Sequence, residues 1–193
     1  MLESLISLDT KLFFFLNGLH SAFLDTPMYW ASNKFFWIPL YIFIVALLIK
    51  TYGKQSILII ISIAILITLS DQISSHLIKD TLVKRLRPSH EPAFLGLIHL
   101  SDAGPGGTYG FVSGHAANAF ALAVFLFFLF RNKYIWFNWI MISCAVFVSY
   151  SRIYNGVHYP TDVIGGALVG VFLGWGIFKF YAAVSKRLSK DFV

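Results

Sequence analysis

Long apolar stretches alternate with short polar breaks along most of the chain. Five of them, at 34–50, 55–78, 111–130, 134–151 and 161–180, come close to the ~20 residues that a helix needs to cross a bilayer. We therefore predict an all-α fold, a polytopic membrane helical bundle of five to six transmembrane helices. The breaks are short, so residues 1–193 are expected to form a single integral membrane domain.

The first residues have a different pattern. Glu3, Asp9, Lys11, Asn17 and His20 interrupt the apolar positions of this segment. Such a mixture is typical of an amphipathic helix lying in the membrane interface, and we expect one over 1–24. A sixth crossing is the alternative.

Composition supports a membrane protein and excludes an ordinary soluble domain. Hydrophobic residues make up 58% of the chain and charged residues 12%, and the mean hydropathy is +0.73; a soluble domain has about 25% charged residues. The formal charge of +6 could indicate a nucleic-acid partner. Here the cations lie at the ends of apolar stretches, a pattern set by membrane topology, so we expect no nucleic-acid partner.

The distribution of lysine and arginine also predicts an orientation. With five spans, the cations at 50–54, at 131–133 and in the C-terminal segment 179–190 lie on one side. The positive-inside rule places that side in the cytoplasm. The long connection at 79–110 and the turn at 151–162 then face the periplasm or the exterior, in a protein of the bacterial inner (plasma) membrane.

One polar cluster stands between the last two apolar stretches. Residues 151–162 contain Arg152, His158 and Asp162. Ionisable groups at the edge of a bilayer are costly and usually functional. Arg152 can hold an anion, His158 can attack or transfer a proton, and Asp162 can orient the imidazole.

Two further segments reach the same predicted membrane face. Ser113-Gly114-His115 opens a span, where free backbone N–H groups favour an anion. The irregular connection at 79–110 supplies Lys79 and Arg87. Two histidines among several cations suit a transferring phosphoryl group. No set of side chains has metal-ligand spacing, so we predict no metal and no cofactor.

The three segments resemble the signature of the type-2 phosphatidic acid phosphatase superfamily, which reads Lys-x6-Arg-Pro, Pro-Ser-Gly-His and Ser-Arg-x5-His-x3-Asp. The third motif matches at Ser151, Arg152, His158 and Asp162. The second, in the segment 111–115, matches at Ser113, Gly114 and His115. Val112 replaces its proline, a change that we expect to matter little. The resemblance covers about residues 70–180.

The resemblance implies a metal-independent membrane lipid phosphatase whose core is shared with the vanadium haloperoxidases. It implies that His158 is the nucleophile that forms a phosphohistidine, that Asp162 orients it, and that His115 acts as general acid and then as base for water. The residues implied to bind the phosphoryl oxygens are Lys79, Arg87, Ser113, Gly114 and Arg152.

The first motif departs from the family pattern. Counting back from Arg87-Pro88, the lysine position is occupied by Asp80, and Lys79 lies one residue too far away. A one-residue bulge in the helix, common at functional sites, would bring Lys79 back into line. Alternatively, Lys84 or Arg85 supplies the charge. We favour Lys79. Arg85 is then interpreted as a cation that extends to the lipid head groups.

Two features of the spans have both a structural and a functional interpretation. Asp71-Gln72 lies about two turns inside the second span, and is either a partner for a motif cation or substrate, or one half of an interhelical hydrogen bond. The glycines of the last span, Gly165-Gly166, Gly170 and Gly174, predict close helix packing.

The expected substrate is a membrane lipid carrying a phosphate monoester or pyrophosphate, and the oligomeric state stays open. Undecaprenyl pyrophosphate, phosphatidylglycerophosphate, phosphatidic acid and the phosphate of lipid A are candidates. The short chain looks most like the undecaprenyl pyrophosphate and phosphatidylglycerophosphate phosphatases. A lipid-to-lipid phosphotransferase and a catalytically weak lipid-binding or transporting relative are the alternative hypotheses.

Overall fold

The computed structural model describes residues 2–131 and 133–190, with the side chains of residues 2, 189 and 190 left aside. Its described part is helical, with turns, irregular connections and one isolated β-bridge. The α-helices in chain order are α1 Leu2–Asn17, α2 Ala22–Ser32, α3 Ile38–Tyr52, α4 Ser56–Asp71, α5 Gly114–Phe130, α6 Ile135–Tyr154 and α7 Pro160–Lys190. A π-helix, Gln72–Leu82, continues α4, and short 3₁₀ turns cover Lys34–Trp37, Gly53–Gln55, Pro88–His90 and Pro92–Phe94.

The centre of the bundle is α5. Its sequence is apolar on every side, which is typical of a helix surrounded by other helices. It packs against α7, α6 and α4, and its buried residues Leu122, Phe125, Leu126 and Phe130 belong to the main apolar core. Because α5 begins at Gly114, this packing fixes the position of the second motif.

The contact between α5 and α7 depends on glycine. Gly166, Gly170 and Gly174 recur every four residues along one side of α7. A Cβ atom added to them would lie 2.3 Å, 2.3 Å and 2.5 Å from the backbone oxygens of Ser113, Ala117 and Ala121. The two backbones are therefore in direct contact, and the predicted role of these glycines in close packing is confirmed.

The outer surface of the bundle is suited to lipid. Large aliphatic and aromatic side chains such as Ile42, Ile57, Ile61 and Phe172 are exposed, as expected for residues that face acyl chains. Lys34–Leu82 and Pro160–Leu188 are long and apolar enough to cross a membrane, and α5 is a shorter apolar helix. The number of crossings stays a prediction.

The N-terminal region differs from the single helix predicted over 1–24. The first helix ends at Asn17, and the chain turns through Gly18 before a second helix, α2, runs from Ala22 to Ser32. The polar side chains of this region were expected to face the membrane interface. Two of them, Asp9 and Asn17, are instead buried against the rest of the protein. At its other end, α7 is longer than the predicted span 161–180 and reaches Lys190.

Replacing Gly170 with Ala should destabilise the protein, since the new methyl group would overlap the Ala117 carbonyl oxygen. We expect a loss of about 1–3 kcal/mol, which thermal unfolding in detergent would measure. Gly176→Ala is the matched control on the same helix, because nothing lies within 4 Å of its added Cβ. Equal melting temperatures for the two variants would contradict this account of the α5–α7 contact.

Candidate active site

The turn between α6 and α7 places a histidine against a buried carboxylate. His158 Nδ1 lies 3.3 Å from Asp162 Oδ2, and both side chains are almost completely buried. The same oxygen accepts a 2.9 Å hydrogen bond from the backbone N–H of Tyr159. Asp162 is the third residue of α7, after Pro160 at the first position, so it closes the helix N-terminus in the manner of a capping box. The carboxylate therefore caps α7 and also holds the imidazole.

The second oxygen of Asp162 binds Arg85. Arg85 Nη1 donates to Asp162 Oδ1 at 3.2 Å, and Nη2 donates to Asp9 Oδ2 at 2.6 Å. The guanidinium also lies over the Tyr159 ring, 3.8 Å from its centre. Arg85 therefore links α1 to the histidine–aspartate pair. Its interpretation as a cation that reaches for lipid head groups is wrong, because its partners are protein carboxylates.

Two extended segments hold the arginines of the first motif. Leu86 and Tyr109 form an antiparallel bridge, with hydrogen bonds from Arg87 N to Thr108 O and from Gly110 N to Arg85 O. Arg87 Nε donates to the Tyr109 carbonyl oxygen at 2.9 Å. A Cβ on Gly110 would lie 2.8 Å from Asp162 Oδ2, so only glycine lets this segment lie against the carboxylate.

The second motif forms the start of α5. The Ser113 side chain accepts a hydrogen bond from Ala116 N and caps the helix, and it is fully buried. Gly114 and His115 face a cavity, where His115 Nε2 lies 3.3 Å from the Ser32 carbonyl oxygen. Ser113 N also donates to the Asp162 backbone oxygen at 2.9 Å, which joins the second motif to the third.

The predicted lysine of the first motif lies in the π-helix Gln72–Leu82. A π-helix accommodates extra residues, and here it runs through the position of Lys79. The prediction was a one-residue bulge, and the structure instead has a π-helix over the whole segment. The role of Lys79 in the first motif stays a prediction. Lys79 lines the cavity together with Arg87, whereas Lys84 does not line it and is exposed.

The cavity has a volume of about 640 Å³, which is in the range of small-molecule sites. At one end it is lined by Lys79, Arg87, Gly114, His115 and His158. Its remaining wall comes mainly from apolar side chains of α3, α4, α5 and α6, among them Ile44, Leu48, Ile60, Ile67, Leu122 and Met141. Five of the eight predicted site residues thus line one cavity. Asp162 contacts His158, and Ser113 caps α5.

The charges around His158 keep its imidazole neutral. Burial and the nearby cations of Arg87, Arg152 and Lys79 hold the His158 pKa well below its usual value. A neutral imidazole has a lone pair available for attack. Arg152 is buried at the end of α6, and its Nε has no hydrogen-bond partner among the described residues.

Side chains from α1 that the sequence did not single out support the third motif. Asp9 Oδ1 accepts a hydrogen bond from Thr161 N at 2.9 Å. Asn17 Nδ2 donates to the carbonyl oxygens of Ile153 and Tyr154, and its Oδ1 accepts from His99 N. The presence of polar residues in an otherwise apolar helix was the available signal, but the sequence did not show which partners they have.

Comparison with known proteins agrees with these motifs. The family model described as the PAP2 superfamily matches residues 55–186. The chain belongs to the PAP2 superfamily. Over 99% of its length it is 38% identical to the lipid A 4'-phosphatase of Bacteroides thetaiotaomicron, covering 84% of that protein. It is 32% identical to an undecaprenyl-diphosphatase of Sulfolobus acidocaldarius, with 90% of this chain and 78% of that one aligned.

A solved structure has the same arrangement of helices. The crystal structure of Aquifex aeolicus LpxE matches 89% of this chain and 95% of its own, with a TM-score of 0.60 and 25% sequence identity. The predicted membership of this superfamily is therefore confirmed. This PAP2 protein is a membrane lipid phosphatase, a hydrolase of phosphoric ester bonds.

Replacing Lys79 with Ala should lower phosphatase activity by about 10²-fold, because it removes a cation that faces the bound phosphoryl group. Lys84→Ala is the matched control, since Lys84 is exposed and does not line the cavity. Phosphate release from a lipid substrate in detergent measures both. A large loss in Lys84→Ala with a normal Lys79→Ala would reverse the assignment.

Arg85 should act on the reaction through Asp162, because it does not line the cavity. In Arg85→Gln we expect kcat to fall by up to about 10²-fold while KM changes little, as the carboxylate loses its fixed position. Steady-state kinetics would separate the two constants, with Lys84→Gln as the neighbouring control. A rise in KM at constant kcat would instead indicate that Arg85 binds substrate directly.

Proposed function

We propose that this PAP2 phosphatase hydrolyses a phosphate monoester on a lipid A-type glycolipid. The observation that carries the proposal is the 38% identity to a lipid A 4'-phosphatase over nearly the whole chain. A cavity with a cationic end and a long apolar wall agrees with a substrate that has a phosphate head and acyl chains.

The first step is attack by His158 on phosphorus. Its Nδ1 is held by Asp162, which leaves Nε2 free to form the P–N bond as the P–O bond to the lipid breaks. His115 donates a proton to the leaving oxygen, and the lipid departs as an alcohol. Lys79, Arg87 and Arg152, with the backbone at Gly114, stabilise the charge on the phosphoryl oxygens.

The second step returns the enzyme to its starting state. His115, now deprotonated, takes a proton from water, and the hydroxide attacks the phosphohistidine. The P–N bond breaks, inorganic phosphate leaves, and the electron pair returns to His158. No metal is required by this sequence of steps. Among the described residues, no group of three or more His, Cys, Asp or Glu side chains is arranged to hold one.

Undecaprenyl pyrophosphate is the second candidate substrate. The match to an undecaprenyl-diphosphatase, which covers 90% of this chain, favours it, and it was the expectation from the short chain. The same two histidines would cleave a pyrophosphate, with lipid monophosphate as the leaving group.

We further propose that the site faces the periplasm. The three motifs lie at one end of the bundle, where the π-helix ends, α5 begins and α6 turns into α7. The turns that carry Lys50, Lys54, Arg131 and Lys133 lie at the opposite ends of these helices. The positive-inside rule puts those cations in the cytoplasm.

Phosphate release from purified protein in detergent tests the proposed function. Lipid A, phosphatidic acid and undecaprenyl pyrophosphate would be compared in the presence of EDTA. We expect release from lipid A, with mass spectrometry showing the loss of one phosphate at the 4' position and no phosphate on an acceptor lipid. His158→Ala should lower the rate by at least about 10³-fold.

His90→Ala is the control, because this histidine lies in the loop and does not line the cavity. Activity only on undecaprenyl pyrophosphate would favour the second candidate. Transfer of the phosphate to another lipid would identify a phosphotransferase. Full loss of activity in EDTA would contradict the metal-free mechanism.

A further inference from the structure

Several polar side chains in the cavity have no part in the proposed chemistry, and two of them lie on its membrane-spanning wall. Asp71 is the last residue of α4 and Asn118 lies in α5, and both line the same cavity as Lys79 and His115. Much of the surrounding wall is apolar, including Ile67 of α4. A carboxylate and an amide in a membrane-spanning wall are costly, and such groups usually mark a substrate path.

Asn118 lies one helical turn deeper than His115, and Asp71 lies four residues before Ser75, which is next to Gly114. Asn118 follows His115 by three residues, so the two share a face of α5 about 4.5 Å apart along the axis. Ser75 Oγ lies 3.3 Å from the position of an added Cβ on Gly114, and it donates to Asp71 Oδ1 at 3.4 Å. Ser75 therefore lies between Asp71 and the backbone of Gly114, which borders the proposed phosphate position.

Most of the hydrogen-bonding capacity of the two side chains is not used within the described part of the chain. Asn118 has no hydrogen-bond partner in the described part of the chain, and its Oδ1 is buried. The Asp71 carboxylate accepts one bond, from Ser75, and forms no ion pair with a described cation. Asp71 is an exposed residue on the cavity, so its carboxylate is open to a ligand. A buried acceptor without a donor costs free energy, so for Asn118 Oδ1 a donor is expected to arrive with the ligand.

The chemistry of the candidate substrates decides which ligand can supply donors. The diacylglycerol part of phosphatidic acid and the polyprenyl chain of an isoprenyl phosphate have no O–H or N–H group. An acylated amino sugar has hydroxyl groups and an amide N–H within a few bonds of its phosphate ester. Phosphatidylglycerophosphate has a single glycerol hydroxyl group near its phosphate. The acylated amino sugar is the class that has several donors, including an amide N–H, and can therefore donate to both Asp71 and Asn118.

We propose that Asp71 and Asn118 form a hydrogen-bonding subsite for the hydroxyl or amide N–H groups of a phosphorylated, acylated amino sugar. The proposal rests on the proposed function and deepens it, because it assigns the preference for a glycolipid to these two residues. The phosphate lies at the cationic end, the sugar contacts Asp71 and Asn118, and the acyl chains follow the apolar wall.

The test is the ratio of kcat/KM for an acylated glucosamine phosphate lipid to kcat/KM for phosphatidic acid, in mixed micelles. In Asp71→Leu and in Asn118→Leu we expect this ratio to fall by about 10-fold, since one or two hydrogen bonds are lost. The fall should come from a lower kcat/KM for the glycolipid, with kcat/KM for phosphatidic acid unchanged. Asp71→Asn keeps an acceptor oxygen and should keep the ratio within about 3-fold. Thr68→Leu, at an exposed position on α4 outside the cavity, is the matched control for loss of a polar group.

A binding measurement makes the test independent of turnover. In a His158→Ala background, the glycolipid should raise the melting temperature, and the added Asp71→Leu change should reduce that shift. Asn118→Ala replaces Asn118→Leu if the larger side chain prevents folding.

The outcomes separate this proposal from the proposed function. An unchanged ratio in both leucine variants, with the glycolipid still cleaved by the natural protein, would overturn the subsite alone. Equal losses on both substrates would show that Asp71 and Asn118 are structural. Failure of the natural protein to cleave or bind the glycolipid would overturn the proposed function, and the subsite with it.

Discussion

The contact between Asp162 and His158 is the interaction on which the rest of the site depends. Both groups are buried where water cannot screen them, so the carboxylate needs donors for each oxygen. One oxygen receives the Tyr159 N–H and the imidazole, and the other receives Arg85. The same carboxylate caps the N-terminus of α7. His158 is thus positioned by the start of a helix that the glycine contacts with α5 hold in place.

The lysine of the first motif illustrates how backbone geometry can compensate for a shifted sequence. In a regular α-helix, one additional residue turns every later side chain by about 100°. The π-helix Gln72–Leu82 has a different twist, and in it Lys79 lines the cavity while its neighbour Asp80 is exposed and lies 3.7 Å from His76. A lysine can therefore reach the cavity although its spacing along the chain departs from the family pattern.

Much of the fold and of the site could be predicted from the sequence, and the reasons for the failures are physical. Apolar stretches locate spans because lipid requires them, and motif residues stand out in an apolar chain because charge is expensive there. The pattern did not reveal α2 or the burial of Asp9 and Asn17, because a polar residue in an amphipathic helix looks the same whether it faces head groups or protein. Nor could it show that Arg85 binds two carboxylates, since Asp9 and Asp162 lie far apart in the chain.

Helix α1 supports the site although it lies outside the segment that matches the family model. The match to the family model begins at residue 55, and all three motifs lie within it. Asp9 nevertheless caps α7 and pairs with Arg85 from outside that boundary, and Asn17 clamps the end of α6. The segment that identifies the family therefore does not contain every residue that holds the site in place. A piece of this chain cut at residue 55 would keep every motif and still lose the carboxylate that Asp9 provides to Arg85 and Thr161.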